Sequence, residues 1–145
     1  MPIIALTVSV WFFAPTPVNA DQPECEVLAQ PLRFGSYDPS APYDTTASST
    51  IDVQCTKARK LEVGLITNDP CTRRYMRSGL QTLAYNMYLD SGLQIVWGSK
   101  NPRCGETAQT DSGFTFNFTV YASIPRLQTV EAGTYVDTVT VNVDF

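Results

Sequence analysis

The chain of 145 residues contains no histidine, and none of its four cysteines stands at the spacing of a CxxC pair. Without an imidazole the Ser-His-Asp and Cys-His nucleophile arrangements are excluded. Without His or CxxC the usual structural zinc sites are excluded as well. Carboxylate pairs such as Asp38 and Asp44 can be nominated for glycoside hydrolysis, but nothing in the sequence sets them face to face, and turn aspartates commonly cap backbone instead. Positive charge is also scarce: ten Lys and Arg stand against fourteen Asp and Glu, a net charge of −4. A phosphate backbone needs a concentrated basic surface, so nucleic acid is not an expected partner. The small groups Lys57/Arg59/Lys60 and Arg73/Arg74/Arg77 read as solvated turn or strand faces. The sequence thus predicts a non-enzymatic protein with no cofactor and no metal.

Charge of either sign is missing from the first twenty residues. An apolar run from Ile3 to Ala14 is followed by Pro15, Pro17 and the small-residue site Val18-Asn19-Ala20, the pattern of a secretory signal cleaved before Asp21. The run is shorter than the roughly 20 residues that span a bilayer. The expected organisation is therefore a signal peptide over 1–20 and one domain over 21–145. In an exported chain, Cys25, Cys55, Cys71 and Cys104 are expected to form disulfides. Three pairings are possible. Sequence order favours Cys25 with Cys55 and Cys71 with Cys104, each closing a loop worth about 3 to 4 kcal/mol in the chain-entropy model.

What the domain does have is alternation with period two. Ile51, Val53 and Cys55 interleave with polar residues, as do Leu61, Val63 and Leu65, then Leu83, Tyr85, Met87 and Leu89, and finally Phe114, Phe116, Phe118 and Val120. Such segments are half-buried strands. Turn formers separate them: Gly35 to Pro39, Asn68 to Pro70, Asp90 to Gly92 and Asp111 to Gly113. The predicted fold is an all-β immunoglobulin-like sandwich. Among the aromatics, Tyr43 and Tyr88 fall at loop and outward positions and are the candidate surface tyrosines.

In the last strand Val139, Val141, Val143 and Phe145 form an apolar face opposite Thr138, Thr140, Asn142 and Asp144. No residues follow to make the final strand of such a sandwich, which predicts an open edge beside an unfilled core groove. Filling it with about four apolar side chains at ~1.5 to 3 kcal/mol each contributes about 6 to 12 kcal/mol. That rivals the net stability of a typical domain, about 5 to 15 kcal/mol. Dependence on a strand donated by a partner follows.

Several runs resemble the spore coat protein U domain family, which includes the pilins of archaic chaperone-usher pili. They are Cys25 to Tyr37 with its Cys-x8-Phe-Gly-x-Tyr opening, Cys55-Thr56, Arg74-Tyr75-Met76, Leu83 to Asp90, Trp97-Gly98, Ile124-Pro125 and Ala132 to Val141. The resemblance implies an incomplete immunoglobulin-like fold lacking its last strand. It also implies a periplasmic chaperone, an outer-membrane usher and neighbouring pilin subunits as partners, with export to the periplasm and then to the cell surface or a fimbrium. By position it implies a Cys25–Cys55 disulfide and an acceptor groove bordered by Val139, Val141, Val143 and Phe145. Only Asp21-Gln22-Pro23-Glu24 would precede Cys25 after cleavage, too little for a donor strand, since proline also removes a ladder donor. The expected role is a tip or minor subunit of a surface fibre, and the alternative is a stand-alone secreted binding or coat protein.

Overall fold

In the computed structural model, residues 4–12 are described through their backbone and pairing, and residues 25–70 and 73–145 in full. Among the described residues there is no helix. Ten strands form: β1 Ile4–Phe12, β2 Cys25–Ala29, β3 Leu32–Tyr37, β4 Thr45–Arg59, β5 Glu62–Ile66, β6 Arg74–Ser78, β7 Gln81–Tyr88, β8 Ala108–Gln109, β9 Gly113–Ile124 and β10 Thr134–Asp144.

Hydrogen bonding links them in the order β2-β4-β9-β7-β6-β10-β1-β3, with β5 on β10 and β8 on β5. The path folds over at β7, which pairs along its first part with β6 and at its end with β9. The β6–β7 hairpin turns at Gly79, whose φ of +59° suits a residue without Cβ. One half of the sandwich is therefore β2-β4-β9-β7, and the other carries β5, β6, β10, β1 and β3. The inward residues of both halves meet in one core containing Ile51, Val53, Leu83, Met87, Val120, Val139 and Val141.

The alternation read in β4 and β7 matches burial at Ile51, Val53, Cys55, Leu83, Tyr85 and Met87, with Leu89, just past β7, only half-buried; Leu61, Val63 and Leu65 are core as well, but Gly64 between them in β5 is also buried. The reading of β9 holds only toward its C-terminal end. Val120 is buried and Phe116 and Phe118 are half-buried, but Phe114 is 57% exposed. The β4–β9 register is continuous to Gln54↔Thr115 and then jumps to Arg59↔Gly113. The irregularity carries Phe114 past the covered part of the sheet.

Candidate donor-strand groove

The first wall of the groove is β10. Tyr135, Asp137, Val139, Val141 and Val143 are buried, while Thr134, Val136 and Thr138 face outward. On its far side β10 is paired, with Val63 opposite Val143, Leu65 opposite Val141 and Arg77 opposite Val136. The second wall is β3, which buries Leu32, Phe34 and Tyr37. It arises where the chain leaves β2: Gln30 still bonds β4 through its amide to Thr50 O at 2.9 Å, and after Pro31 the strand runs along the opposite half.

No described ladder joins β10 to β3 directly. Between them lies β1, parallel to β10 over Ala5↔Thr134 to Phe12↔Val141 and antiparallel to β3 over Ile4↔Tyr37 to Val8↔Leu32. The alternating residues of the segment are Ile4, Leu6, Val8, Val10 and Phe12 against Ala5, Thr7, Ser9 and Trp11. The register sets positions 6, 8, 10 and 12 opposite Tyr135, Asp137, Val139 and Val141, so the apolar phase of β1 coincides with the buried phase of β10. A cavity of only about 10 Å³ is left nearby, lined by residues including Leu32, Ile51, Met87, Val139 and Val141. That is about the space of a single water.

Of the residues named from the sequence, Val139 and Val141 stand opposite β1. Val143 is buried but lies beyond the last pair of the described part of β1, and it stands opposite Val63 of β5 across the ladder. Phe145, 45% exposed, follows the end of β10 and lines a separate surface recess with Lys60, Leu61 and Lys100. The recess and the groove are not brought together. Cys25 and Cys55 are directly opposite in the β2–β4 ladder and form a disulfide. Among the described residues Cys104 has no disulfide partner, its Sγ lying 3.4 Å from Ser99 Oγ, and Cys71 falls outside them.

Two polar groups in and beside the groove wall were not foreseen as such. Asp137 sits in the row of valines and is 7% exposed. It accepts a 2.6 Å bond from the Tyr85 hydroxyl and a 2.9 Å bond from the Thr138 amide. Arg74, read from the sequence as part of a solvated basic group, is 1% exposed. Its Nη2 donates to Leu65 O at 2.9 Å and Trp97 O at 2.6 Å, and its Nη1 to Asn86 Oδ1 at 2.7 Å. The correction has a simple cause, since Arg74 and Met76 share the inward phase of β6. The signal was available: Asp137 interrupts an apolar row, and Arg74 falls two residues before a buried methionine.

Burial holds the Asp137 carboxyl above the usual carboxylate range, against the opposing bonds from Tyr85 and Thr138; nearby Asp69 adds to the rise and Arg77 opposes it. Burial, then the Asp137 charge, raises the Tyr85 hydroxyl as well. A carboxyl whose pKa is higher in the folded than in the unfolded state favours folding at acid pH, and that contribution is lost as pH rises through the raised value. Asp137→Asn is therefore expected to be at least as stable as the parent at pH 7, because it keeps a partner for Tyr85 and removes the buried charge. Its advantage should shrink toward about pH 4. Urea unfolding at both pH values checks this, and a variant advantage that grows on acidification contradicts it.

The nominated carboxylates serve turns. Asp38 accepts from the Ser40 amide and hydroxyl, and Asp44 accepts from the Arg126 amide at 2.9 Å. Tyr43 is 67% exposed and Tyr88 half-buried, while Trp97 is buried and donates through Nε1 to Val63 O.

A two-layer immunoglobulin-like sandwich, completed by a strand inserted between its last strand and the second part of its first, defines the class of an incomplete, strand-complemented β-domain. The chain belongs to the family of the Spore Coat Protein U domain, whose model matches residues 13–142. It is 31% identical over 133 residues to Protein U of Myxococcus xanthus, covering 79% of this chain and 71% of that protein. Its structure is similar to a chain in the crystal structure of the CsuC–CsuE chaperone-tip adhesion subunit pre-assembly complex, from the archaic chaperone-usher Csu pili of Acinetobacter baumannii. The TM-score is 0.62 at 26% identity over 86% of this chain. This chain spans 40% of the length of that solved chain.

Proposed function

We propose that this protein is a subunit of a surface fibre assembled by the chaperone-usher route, folding by accepting a strand into the groove between β10 and β3. The observation that carries the reading is the ladder order β10-β1-β3: withdrawing the middle strand leaves two unpaired edges flanking an apolar cleft. Family membership and the similarity to a chain of a chaperone–subunit complex support the same route. The partners on this reading are a periplasmic chaperone, an outer-membrane usher and neighbouring pilin subunits, with the protein exported to the periplasm and then to the cell surface.

The finer assignment, a tip or minor subunit, rests on cleavage after Ala20. Only four residues then precede Cys25, one of them Pro23, and they cannot form a ladder strand for a neighbour. Such a subunit receives a strand and gives none.

The test is to produce residues 21–145 in oxidised form and measure thermal unfolding with and without a synthetic peptide of alternating apolar residues. Low stability alone and one-to-one stabilisation by the peptide are expected. Full stability without peptide, unchanged by adding it, would sink the proposal and favour a stand-alone secreted protein.

A further inference from the structure

We propose that Ile4–Phe12 is a built-in occupant of the acceptor groove, closing the uncleaved chain to any other strand until the link to Cys25 is cut. The inference rests on the groove's role as a strand acceptor and adds how its access is regulated.

Three observations carry it. The segment pairs on both of its edges, with eight register pairs to β10 and five to β3. Ladder bonds alone would accept any extended chain, but the apolar phase of the segment also coincides with the buried phase of β10 at four successive positions, Tyr135, Asp137, Val139 and Val141. A slip of one residue would place Ala5, Thr7, Ser9 and Trp11 there instead. Finally, the segment is tethered: residues 13–24 join it to β2. A short covalent link between two binding partners gives an effective concentration in about the millimolar range. A free donor at about 10 μM with equal intrinsic affinity is then outcompeted by about 100-fold.

The nine residues thus hold the groove only while the chain is intact. While the chain is intact they keep two sheet edges paired and an apolar cleft covered, the state in which an edge cannot join another chain. After cleavage the tether is lost, the segment competes only at its bulk concentration, and the groove becomes available to a donor at ordinary concentration.

The test uses the full chain, oxidised, with a specific protease recognition sequence inserted between Ala20 and Asp21. The probe is a fluorescent synthetic peptide of residues 4–12. The intact chain is expected to bind it at least about 100-fold more weakly than the cut chain. Two double variants control for composition: Leu6→Asp/Val10→Asp charges positions in register with the buried Tyr135 and Val139, and Thr7→Asp/Ser9→Asp charges positions in register with Val136 and Thr138. The first is expected to bind the probe without cutting, and the second to stay closed. If the first does not fold alone, recovery of its folded signal on adding probe gives the same answer.

Equal probe binding by intact and cut chains, with the cut chain stabilised, overturns the inference while leaving the groove's role as acceptor in place. Equal behaviour of the two double variants overturns it as well, as does an intact chain whose probe exclusion is accompanied by oligomers that exchange the segment between copies. Full stability of the cut chain after removal of the segment, with no binding of any alternating peptide, overturns the acceptor reading itself.

Discussion

Replacing Arg74 by alanine is expected to destabilise the domain by about 3 to 5 kcal/mol, the largest loss among the single substitutions considered. The guanidinium ties three separate pieces of chain together: Leu65 in β5, Trp97 in the loop after β7, and Asn86 in β7. Truncation leaves the carbonyls of Leu65 and Trp97 short of a donor in a buried site, at about 1 to 3 kcal/mol each. It also opens a cavity where a long side chain was 1% exposed. Recovering the desolvation energy of the buried cation offsets part of this and keeps the total below the simple sum. Arg74→Lys keeps the charge but not the planar fork, and is expected to restore less than half of the loss. Denaturant midpoints of the three proteins decide the matter; an alanine variant within about 1 kcal/mol of the parent would show that the carbonyls find other donors.

The second large effect concerns the disulfide. Cys25 and Cys55, 30 residues apart in sequence, join the first residue of β2 to the C-terminal third of β4. In the chain-entropy model a loop of this length contributes about 3 to 4 kcal/mol by restricting the unfolded chain. Cys25→Ser/Cys55→Ser is expected to lose that amount under non-reducing conditions, and the parent should move to the same stability when a reductant is added. A parent unaffected by reductant, at concentrations that demonstrably break the bond, contradicts the prediction.

Much of this architecture is legible in the sequence, because strands with one wet face announce themselves by period two. The Ile51/Val53/Cys55 and Val139/Val141/Val143 rows are cases in which pattern and burial coincide. The open edge expected beside the last strand is not what the structure has: β10 is paired with β5 and β6 on one side and with β1 on the other, because Ile4–Phe12, read from the sequence as part of an export signal, lies along it.

The strand that lies in the groove was harder to see. The run Ile4 to Phe12 has the charge-free composition of an export signal, and Ala5, Thr7 and Ser9 are small enough to belong to one, which masks their alternation with Leu6, Val8 and Val10. Arg74 was obscured by Arg73 and Arg77 on either side, since three nearby cations read as a solvated group. Only the inward phase of β6 separates the buried one from its neighbours. Which residues border the groove also depends on tertiary register: that Val139 and Val141 stand opposite the described part of β1, and that Phe145 lies past the end of β10, follows from pairings between distant segments.

The crossing at Pro31 divides the beginning of the domain into two parts with different dependence on their neighbours. Up to Gln30 the backbone is held by β4 and anchored at Cys25, whereas from Leu32 to Tyr37 its ladder bonds run to β1. Loss of the inserted strand therefore frees the amides of β3 first, and the opening has a natural stop where the chain returns to β4. In hydrogen exchange this corresponds to a sharp boundary: fast deuterium uptake beyond Pro31, slow uptake before it, and a local breathing unit about one strand wide.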